Sequence, residues 1–442
     1  MASTASGYLR FATVQILCFC SISLSVFAQN TKSLHTRQTS ANAPYYSRHE
    51  AYIDAARQYT IKPDFSFTAL AISIEQKFDF KGAYVIVSQD TLFLQEDEHQ
   101  PEDDNLRQSV LLIIDKAQHS FIFYPADIRG NVSFSLLNAE EGRKKANTRT
   151  QKQKKQLDTN QDGTCHLPSL IRTSIWREGL PEPSYNRVET DVGHVIVHHS
   201  AGSNTSTDYV NTVRNIYLFH TQVRGWSDIG YNYLIAQDGT IFQGRSFSND
   251  EVENDDIRGA HFCGQNSGTM GICMLGNYNT VLPTDTSVSA LVRLTGWKLH
   301  KESLDPLAGS SHPANNNLSV IAGHRNGCAT ECPGDNLYAM LNDIRLEVEA
   351  YLKAGCEEEA EALAFNVYPV PAEEKVNFTL PSEQVPEEIW MIDAGGKKFS
   401  VSAYLDQEGE SWVVDTRLLA AGIYVLQING SNFEQKRKLL IY

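Results

Sequence analysis

Apolar residues recur at strand-like spacing in the part of the chain that follows residue 48. Short apolar runs separated by turn residues between 49 and 140 predict a β-rich domain, and their spacing is typical of a β-sandwich. Residues 30–48 are polar and are predicted to be loose. We find no set of catalytic side chains in this domain. The runs that predict strands are AYVIVSQDTLFLQ (83–95, two strands around a Ser-Gln-Asp turn), SVLLIID (109–115), SFIFYPA (120–126) and NVSFSLL (131–137).

Between residues 165 and 356, strand-like apolar runs alternate with segments of helical periodicity. This alternation predicts an α/β architecture in which helices pack around a central sheet. The strand-like runs are DVGHVIVHHS (191–200), GICMLG (271–276), LSVIAGH (318–324) and the hairpin YNYLIAQDGTIFQG (231–244), and the helical segments are 208–220, 286–300 and 336–352.

The pattern returns to short strands at the end of the chain. The Glu-rich EEEAEA stretch after Cys356 indicates a linker, and residues 365–442 then alternate apolar runs with glycine turns. This spacing predicts a small C-terminal β-sandwich. The predicted strands are KVNFTL, IWMID, SWVVD, IYVLQI and KLLIY.

Residues 1–28 are predicted to be a signal peptide. Arg10 precedes the apolar run 11–27, and Val26-Phe27-Ala28 forms a small-residue cleavage pattern. A membrane anchor is the alternative, but the run is short and rich in serine. Because no later segment is long and apolar enough to span a bilayer, we expect an exported mature chain without a transmembrane segment.

The balance of charges excludes one broad class of function. The 442 residues include 38 Lys plus Arg and 53 Asp plus Glu, which gives a formal net charge of −15. A general nucleic-acid binder normally carries a basic surface, so we expect no nucleic-acid partner. Apolar residues at 41% and charged residues at 21% are typical of a soluble globular protein.

Residues 141–164 are predicted to be a basic polar linker. The segment 143–155 (RKKANTRTQKQKK) holds seven basic and no acidic residues, so it could instead form a patch that touches an anionic polymer or lipid. Residues 158–163 (DTNQDG) resemble the start of a calcium loop. Ser169 stands where an EF-hand needs its bidentate glutamate, however, which favours an Asx-rich turn.

Three metal-ligand candidates fall at or near predicted strand ends in the central region. His198 and His199 end one strand, His324 ends another, and Cys332 follows eight residues after His324. Functional groups converge at strand ends in an open α/β sheet. Two imidazoles and one thiolate are a good ligand set for zinc, and three protein ligands leave a position open for catalysis.

The motifs around these residues resemble a known family. In chain order they are VIVHHSAG, WSDIGYNYLIAQDGTIFQGR, GAH-x-CGQNSGTMGICMLGNY and AGHR-x6-CPGDNLY, and the earlier IRTSIWREGLPEP resembles the family's Arg-x-x-Trp opening segment. They are similar to the type 2 N-acetylmuramoyl-L-alanine amidases, which include the peptidoglycan recognition proteins and the T7-type lysozyme. The resemblance covers about residues 170–352 within a predicted domain 165–356. It implies a central mixed β-sheet flanked by helices, in agreement with the α/β pattern.

The resemblance also implies a ligand set and an activity. The zinc ligands would be His198, His324 and Cys332, with His198 preferred over His199 because the family ligand is the first residue of the pair. The implied reaction is zinc-dependent hydrolysis of the amide bond between N-acetylmuramic acid and L-alanine in peptidoglycan or muropeptides.

Further site residues are implied by position in the motifs. Tyr231 and Thr330 would stabilise the oxyanion of the transition state. The substrate groove would include Trp226, Arg245, His261 and Asn266.

An alternative function is that of a non-catalytic peptidoglycan-binding receptor or an adhesin. Receptors of this family typically lack the cysteine ligand, however, and this chain has it as Cys332.

The C-terminal region carries a second resemblance. Its motifs NVYPVP (366–371), IDAGGKK, DTRLLAAGIYVLQI and KRKLLIY are similar to the type A sorting domain of the type IX secretion system. Pro369-Val370-Pro371 departs from the usual Pro-Asn-Pro, and a carbohydrate-binding module is the alternative. The resemblance implies the type IX secretion machinery as a partner. It also implies a secreted protein, or one on the outer-membrane surface of a Gram-negative bacterium after periplasmic transit.

Six cysteines remain after the signal peptide, all between residues 165 and 356. If the third zinc ligand is a thiolate, five are left, so at least one is unpaired within the chain. Cys273 lies in the apolar run GICMLG and is predicted to be a buried free thiol. Cys165 and Cys356 bracket the central domain, and the family fold places the loops of Cys263 and Cys328 beside the zinc cleft. We therefore predict the disulfides Cys165–Cys356 and Cys263–Cys328.

Overall fold

The computed structural model describes most of the chain in ordered stretches. No helix among the described residues is both long and apolar enough to span a bilayer. The predicted signal peptide 1–28, residues 144–164 of the predicted linker and the Pro369-Val370-Pro371 motif lie outside the described residues. The described stretches are 31–54, 57–97, 105–143, 165–183, 188–246, 254–279, 281–356, 366–368, 374–380, 385–393, 395–405, 411–430 and 433–441.

The first region of the chain, from residue 31 to residue 143, is built from β-strands. Apolar side chains alternate along most of these strands, which is the pattern of a sheet with one buried face. The strands are β1 (Thr31–Leu34), β2 (Arg37–Ala43), β3 (Tyr46–Ile53), β4 (Gln58–Ile61), β5 (Phe67–Glu75), β6 (Tyr84–Val87), β7 (Asp90–Phe93), β8 (Leu106–Gln108), β9 (Leu112–Gln118), β10 (Phe121–Tyr124) and β11 (Gly130–Leu137).

These strands form two sheets that share one hydrophobic core. The first sheet has the strand order β1-β4-β10-β6-β7, and the second has the order β2-β3-β11-β5-β8 with β9 also paired to β5. Side chains from both sheets meet in the core; for example, Phe123 of β10 contacts Phe134 of β11 edge to face at 5.5 Å between ring centroids. This arrangement is the β-sandwich that the strand pattern predicts.

The prediction that residues 30–48 are loose is wrong. Thr31–Leu34 pairs in parallel with β4, and Arg37–Ala43 pairs with β3 in an antiparallel ladder. Both strands lie at the edge of a sheet, where backbone hydrogen bonds hold the strand while its side chains stay largely in solvent. A polar sequence is compatible with such a strand, so the apolar pattern carries no signal for it.

The central region combines a six-stranded sheet, a separate hairpin and four α-helices among its described residues. Its elements are β12 (Leu170–Ile171), α1 (Thr173–Trp176), β13 (His194–His199), α2 (Tyr209–Leu218), β14 (Tyr233–Ile235), β15 (Ile241–Gln243), β16 (Thr269–Met274), α3 (Asp285–Glu302), β17 (Gly309–His312), β18 (Asn315–Ser319), β19 (Ile321–Gly323) and α4 (Asp335–Lys353).

The sheet is mixed and is covered by helices on both faces. Its strand order is β12-β15-β14-β16-β13-β19, with β13 parallel to both neighbours and β14 antiparallel to β15. On one face of the sheet, Leu291 of α3 and Leu341 of α4 are buried in one cluster with Val195 of β13 and Ile272 of β16. Helix α2 packs on the opposite face. The predicted α/β fold with a central mixed sheet is therefore confirmed.

Two elements of the central region differ from their predicted extent. The run LSVIAGH (318–324) is two strands rather than one, because β18 pairs with β17 in a hairpin while β19 joins the central sheet beside β13. His324 then begins a short 3-10 turn, His324–Asn326. The helix predicted over 208–220 continues past α2 as a π-helical turn, Phe219–Val223.

The C-terminal region is a small β-sandwich with a core of its own. Two four-stranded sheets, β20-β21-β25-β24 and β23-β22-β26-β27, enclose Val376, Phe378, Met391 and Leu426 among other buried side chains. The bounds are β20 (Asn366–Tyr368), β21 (Lys375–Thr379), β22 (Glu388–Asp393), β23 (Lys398–Ser400), β24 (Ala403–Leu405), β25 (Trp412–Asp415), β26 (Gly422–Gly430) and β27 (Phe433–Ile441).

Both predicted disulfides are present. Cys165 is bonded to Cys356, which joins the two ends of the central region. Cys263 is bonded to Cys328, which links the loop before β16 to the loop that follows His324. Cys273 is buried and carries no disulfide, as predicted.

The N-terminal sandwich packs directly on helix α2. Strand β5 buries both of its faces, since Leu70 and Ile72 point into the sandwich core while Ala69 and Ala71 join a second apolar cluster with Tyr217 of α2. The small alanine side chains let the sheet approach the helix closely. Every residue from 211 to 220 is buried as a result, whereas a surface helix would expose one face.

Buried polar groups hold the same interface together. Arg214 of α2 is buried, and its guanidinium donates to the backbone carbonyl oxygens of Ala139, Glu141, Trp176 and Glu178 at 2.5 to 2.8 Å. Two of these carbonyls belong to the N-terminal region and two to the segment around α1. Arg214 therefore joins three parts of the chain with a single side chain.

Candidate metal centre and groove

The structure brings His198, His324 and Cys332 together at the ends of two neighbouring strands. Their ligand atoms all lie within 4.8 Å of one another, and all three residues are buried. His198 is near the end of β13, His324 follows β19 directly, and Cys332 lies in the loop before α4. Because β13 and β19 are parallel neighbours, their carboxyl ends open at the same edge of the sheet.

His199 lies outside this cluster. Successive side chains of a strand point to opposite faces, so His199 is directed away from its neighbour. Its Nδ1 accepts a hydrogen bond from the backbone N–H of Tyr278 at 3.3 Å. Its backbone N–H donates to the Cys332 sulfur at 3.4 Å. His199 thus supports the cluster through its main chain.

The donor set of the cluster fits zinc. Zinc takes imidazole nitrogen at about 2.0 Å and thiolate sulfur at about 2.3 Å in tetrahedral geometry, which places neighbouring ligand atoms about 3.3–3.8 Å apart. The Nδ1 atom of His198 and the sulfur of Cys332 are 3.7 Å apart. The rings of His198 and His324 are 4.5 Å apart between centroids. Small side-chain movements are enough to bring all three donors to a shared ion.

His261 lies behind His198. Its Nδ1 is 3.1 Å from Nε2 of His198, and its own Nε2 is 3.4 Å from the Thr269 hydroxyl. A histidine that binds metal through one ring nitrogen is usually oriented by a hydrogen bond at the other nitrogen. His261, which the sequence analysis assigns to the groove, is therefore placed to orient His198.

Tyr231 lies beside the cluster in a buried position. Its ring is 5.2 Å from the ring of His198 between centroids. Burial raises the pKa of Tyr231 well above its ordinary value, and the nearby Cys273, Cys332 and Asp97 act in the same direction. The hydroxyl therefore stays protonated and can donate a hydrogen bond near neutral pH.

Thr330 lies in the ligand loop. Its hydroxyl accepts a hydrogen bond from the backbone N–H of Cys332 at 3.0 Å, which fixes the approach of the chain to this ligand. Glu331 is exposed, and its backbone carbonyl accepts a hydrogen bond from the guanidinium of Arg325. The same guanidinium forms an ion pair with Asp335 at the start of α4.

The ring of His220 lies between the rings of Trp226 and Tyr231, tilted against both. The ring of His220 is 4.5 Å from Trp226 and 5.7 Å from Tyr231 between centroids. His220 was not predicted as a site residue, although a histidine at the end of a predicted helix just before the WSDIGY motif is a usable signal. A cavity of about 260 Å³ beside Trp226 is lined by Pro181, Glu182, Tyr217, Thr221, Gln222, Trp226 and Ser227.

Arg245 and Asn266 shape the loops around the cluster. The Arg245 side chain is buried, and its Nε donates to the carbonyl of Ile229 at 3.0 Å. The Asn266 side-chain oxygen accepts from the backbone N–H groups of His261 at 2.7 Å and Phe262 at 2.9 Å. Substrate contact by either residue remains a prediction.

A second group of acidic residues is neutralised by lysine. Asp255, Asp256 and Glu302 lie close enough together to resemble a cation site. The buried ammonium of Lys298 contacts all three at 2.5 to 2.7 Å. Lys301 adds a further pair with Asp255 at 2.9 Å. This group is an ionic cross-link between helix α3 and the loop before β16.

A mixed sheet with a buried His/His/Cys donor set at its strand ends defines an α/β protein with a candidate catalytic metal site. The family described as N-acetylmuramoyl-L-alanine amidase matches residues 188–335 of the chain. The family described as secretion system C-terminal sorting domain matches residues 366–442. The second match assigns the end of the chain to secretion and places the protein outside the cell or at its surface.

Curated relatives match the central region. Peptidoglycan-recognition protein SC2 of Drosophila simulans is 31% identical over 179 residues, which are 40% of this chain and 85% of that protein. Human N-acetylmuramoyl-L-alanine amidase is 30% identical over 158 residues, 35% of this chain and 24% of that protein. The solved structure of Drosophila PGRP-LB is 31% identical and covers 39% of this chain and 92% of its own, with a TM-score of 0.32. The chain belongs to the N-acetylmuramoyl-L-alanine amidase family.

Proposed function

We propose that the protein is a zinc-dependent N-acetylmuramoyl-L-alanine amidase. It hydrolyses the amide bond between N-acetylmuramic acid and the L-alanine of the peptidoglycan stem. The observation that carries this proposal is the buried donor set of His198, His324 and Cys332, with the buried Tyr231 beside it. A non-catalytic peptidoglycan receptor has no need for three converging metal donors.

His198, His324 and Cys332 would hold the metal. A zinc ion in this position supplies a Lewis acid that polarises the scissile carbonyl and makes water nucleophilic near neutral pH. Neighbouring groups support two of the donors, because His261 is placed to orient His198 and the Thr330 hydroxyl accepts a hydrogen bond from the backbone N–H of Cys332. Donors that are oriented before the reaction lower the cost of reorganising the site during it.

Tyr231 is proposed to stabilise charge during the reaction. When the scissile carbonyl is attacked, its oxygen gains negative charge, and a hydroxyl donor nearby lowers the energy of that transition state. Tyr231 is suited to this role because its buried hydroxyl keeps its proton. Thr330 is the second candidate donor because its hydroxyl lies in the loop of Cys332.

The groove residues are proposed to act in two ways. Trp226 is half-buried beside a cavity and presents an aromatic face to substrate. Arg245, His261 and Asn266 act on the shape of the site, since their side chains bond to neighbouring groups of the chain.

The sorting match supports a place of action outside the producing cell. We propose that the type IX machinery of a Gram-negative bacterium exports the chain from the periplasm to the outer-membrane surface or the medium. The substrate there is foreign peptidoglycan or shed muropeptides.

The decisive experiment is mass spectrometry of defined muropeptides after incubation with the zinc-loaded protein. We expect free stem peptides that begin with L-alanine and glycans that keep an intact lactyl group. Cys332→Ser and His324→Ala should abolish cleavage and zinc binding while leaving the fold largely intact. His199→Ala is the matched control, because His199 lies beside the cluster without belonging to it.

Two results would contradict this proposal. If metal analysis finds no zinc in active protein, zinc is not needed for the reaction. Muropeptides that bind tightly but stay uncut would identify the protein as a receptor.

A further inference from the structure

The N-terminal sandwich contributes a buried acidic residue to the neighbourhood of the metal centre. Asp97, just after β7, forms an ion pair with Arg224 of the central region, 127 residues away along the chain. The Arg224 and Asp97 side chains are 6% and 7% exposed. Because the pair is buried, separating its two partners would leave each charge uncompensated, so the two residues are expected to stay together.

Arg224 in turn fixes the end of the π-helical turn Phe219–Val223. Its backbone N–H donates to the carbonyl of Phe219 at 2.9 Å, and its guanidinium lies 5.4 Å from the centre of the Phe219 ring. A π-helical turn is rare, and such turns are frequent at functional sites. The ion pair with Asp97 therefore holds Arg224, and with it the end of the π-helical turn, against the N-terminal sandwich.

His220 belongs to the same turn, and its ring contacts the rings of Trp226 and Tyr231 beside the metal donors. The His220 carbonyl accepts the backbone N–H of Trp226 at 2.8 Å, and Nδ1 of His220 accepts the backbone N–H of Gly230 at 3.1 Å. Gly230 directly precedes Tyr231, whose ring contacts both His220 and His198. Continuous contacts thus run from Asp97 to the proposed catalytic tyrosine.

Apolar contacts reinforce this path. Tyr231 and Phe219 belong to the same buried cluster as Ala69 and Ala71 of strand β5. The N-terminal sheet therefore forms part of the packing that holds the tyrosine ring.

We propose that the N-terminal β-sandwich completes the catalytic site, with Asp97 and Arg224 as positioning residues for Tyr231. This inference rests on the proposed amidase function. It gives the sandwich, which carries no catalytic set of its own in the described residues, a defined part in the reaction. It also makes residues on both sides of the basic linker necessary for turnover.

The size of the expected effect follows from the geometry of catalysis. Displacing a reacting group by about 1 Å costs about 100-fold in rate, because the hydrogen bond to the developing charge is lost. Breaking the ion pair should loosen the π-helical turn rather than remove Tyr231. We therefore expect kcat to fall between about 10-fold and 100-fold, with a smaller change in KM.

The test measures kcat and KM of the full-length, zinc-loaded protein on a defined muropeptide. Asp97→Asn and Arg224→Gln should each lower kcat while the zinc content per chain stays at the level of the unmodified protein. Glu96→Gln is the matched control, because Glu96 neighbours Asp97 but pairs with Arg107 at the surface. This control should leave kcat unchanged.

The double variant Asp97→Asn/Arg224→Gln separates positioning from stability. It leaves no unpaired charge in the interface, so it folds even where a single variant does not. Its kcat per zinc-loaded chain should be reduced about as much as in a single variant, since both changes remove the same contact. A kcat equal to that of the unmodified protein in the folded variants would overturn the inference. Failure of the proposed function is distinguishable, because the unmodified protein would then leave the muropeptide uncut.

Discussion

The two β-sandwiches of this chain have similar architecture but different relations to the central region. The N-terminal sandwich shares a hydrophobic cluster, a buried arginine and a buried ion pair with it. Among the described residues, the C-terminal sandwich has its own core and forms the ion pair Arg437–Asp285 with the central region, whose side chains are 32% and 65% exposed. We expect the first sandwich to fold as one unit with the central region and the second to behave as an appended module.

The strands themselves show how this difference arises. Strand β5 is buried along nearly all its length because its second face carries alanines that fit against helix α2. Strand β22 alternates between buried and partly exposed positions, as expected for a sheet with one solvent face. The outer face of the sheet therefore distinguishes the two sandwiches: in the N-terminal sandwich it is apolar and packs on the central region, and in the C-terminal sandwich it is partly exposed.

The largest difference should appear on deletion of each sandwich. Removing residues 31–143 exposes the shared cluster and takes two carbonyl partners from Arg214, so we expect no folded, zinc-binding protein. Ending the chain after Cys356 should change the melting temperature by no more than a few degrees. Circular dichroism on heating and zinc content measure both. A stable, zinc-loaded fragment 165–356 would contradict the shared-core interpretation.

Arginine substitutions test the same contrast one side chain at a time. Arg214→Met leaves buried carbonyls without donors and should lower the free energy of unfolding by about 3–5 kcal/mol. Arg437→Met removes a partly exposed ion pair and should cost about 0–1 kcal/mol. Urea unfolding of both variants provides the comparison. Equal losses would show that the two interfaces are energetically alike.

Removing one tyrosine hydroxyl from the central region and one from the C-terminal sandwich distinguishes a role in catalysis from a role in packing. Tyr231→Phe should lower kcat about 100-fold and change KM little, since its hydroxyl is proposed to act mainly in the transition state. Tyr424→Phe removes a buried hydroxyl that donates to the carbonyl of Ala420 at 2.9 Å in the C-terminal core, and should leave kcat unchanged. Unchanged kcat with weakened binding in Tyr231→Phe would assign Tyr231 to substrate binding.

Alkaline pH should weaken the shared interface slightly. Burial raises the pKa of Tyr209 from 10.0 to about 12, with Asp238 and Asp115 acting in the same direction. Between these values the folded state keeps a proton that the unfolded chain loses, so stability falls as pH rises above 10. The loss from Tyr209 is about 1 kcal/mol at pH 11.

Unfolding in urea at pH 9 and pH 11 measures this loss. Tyr209→Phe should lose less stability than the unmodified protein over that interval. The exposed Tyr404 of the C-terminal sandwich is the control, and Tyr404→Phe should behave like the unmodified protein. Identical losses of stability in all three proteins would show that Tyr209 does not contribute to the destabilisation at alkaline pH.

The sequence is enough to predict those elements and site residues that leave a pattern in a short stretch of the chain. His198 and His324 stand at strand ends, and strand ends converge at one edge of an α/β sheet, so their meeting follows from the pattern. The two disulfides follow from the family fold that the motifs imply. The polar edge strands Thr31–Leu34 and Arg37–Ala43 leave no such signal, because backbone pairing alone holds them.

The contacts between regions could not be predicted from local patterns. Ala69 and Ala71 suit the inside of a sandwich as well as a helix contact, so composition does not distinguish the two. Arg214 lies in a helical segment where a charge normally indicates solvent, and its burial depends on carbonyls brought together by folding. The pair Asp97–Arg224 joins distant parts of the chain, and no motif marks it.

The disulfide between Cys165 and Cys356 has a consequence for export. It joins residues 191 positions apart and so turns the whole central region into a covalent ring. A closed ring cannot be threaded through a narrow channel as one extended strand. On the proposed export route, a chain in which this bond has already formed in an oxidising compartment would need an opening wider than a single extended strand. A proteolytic cut after Cys356 would then release the sorting region while the ring stays closed.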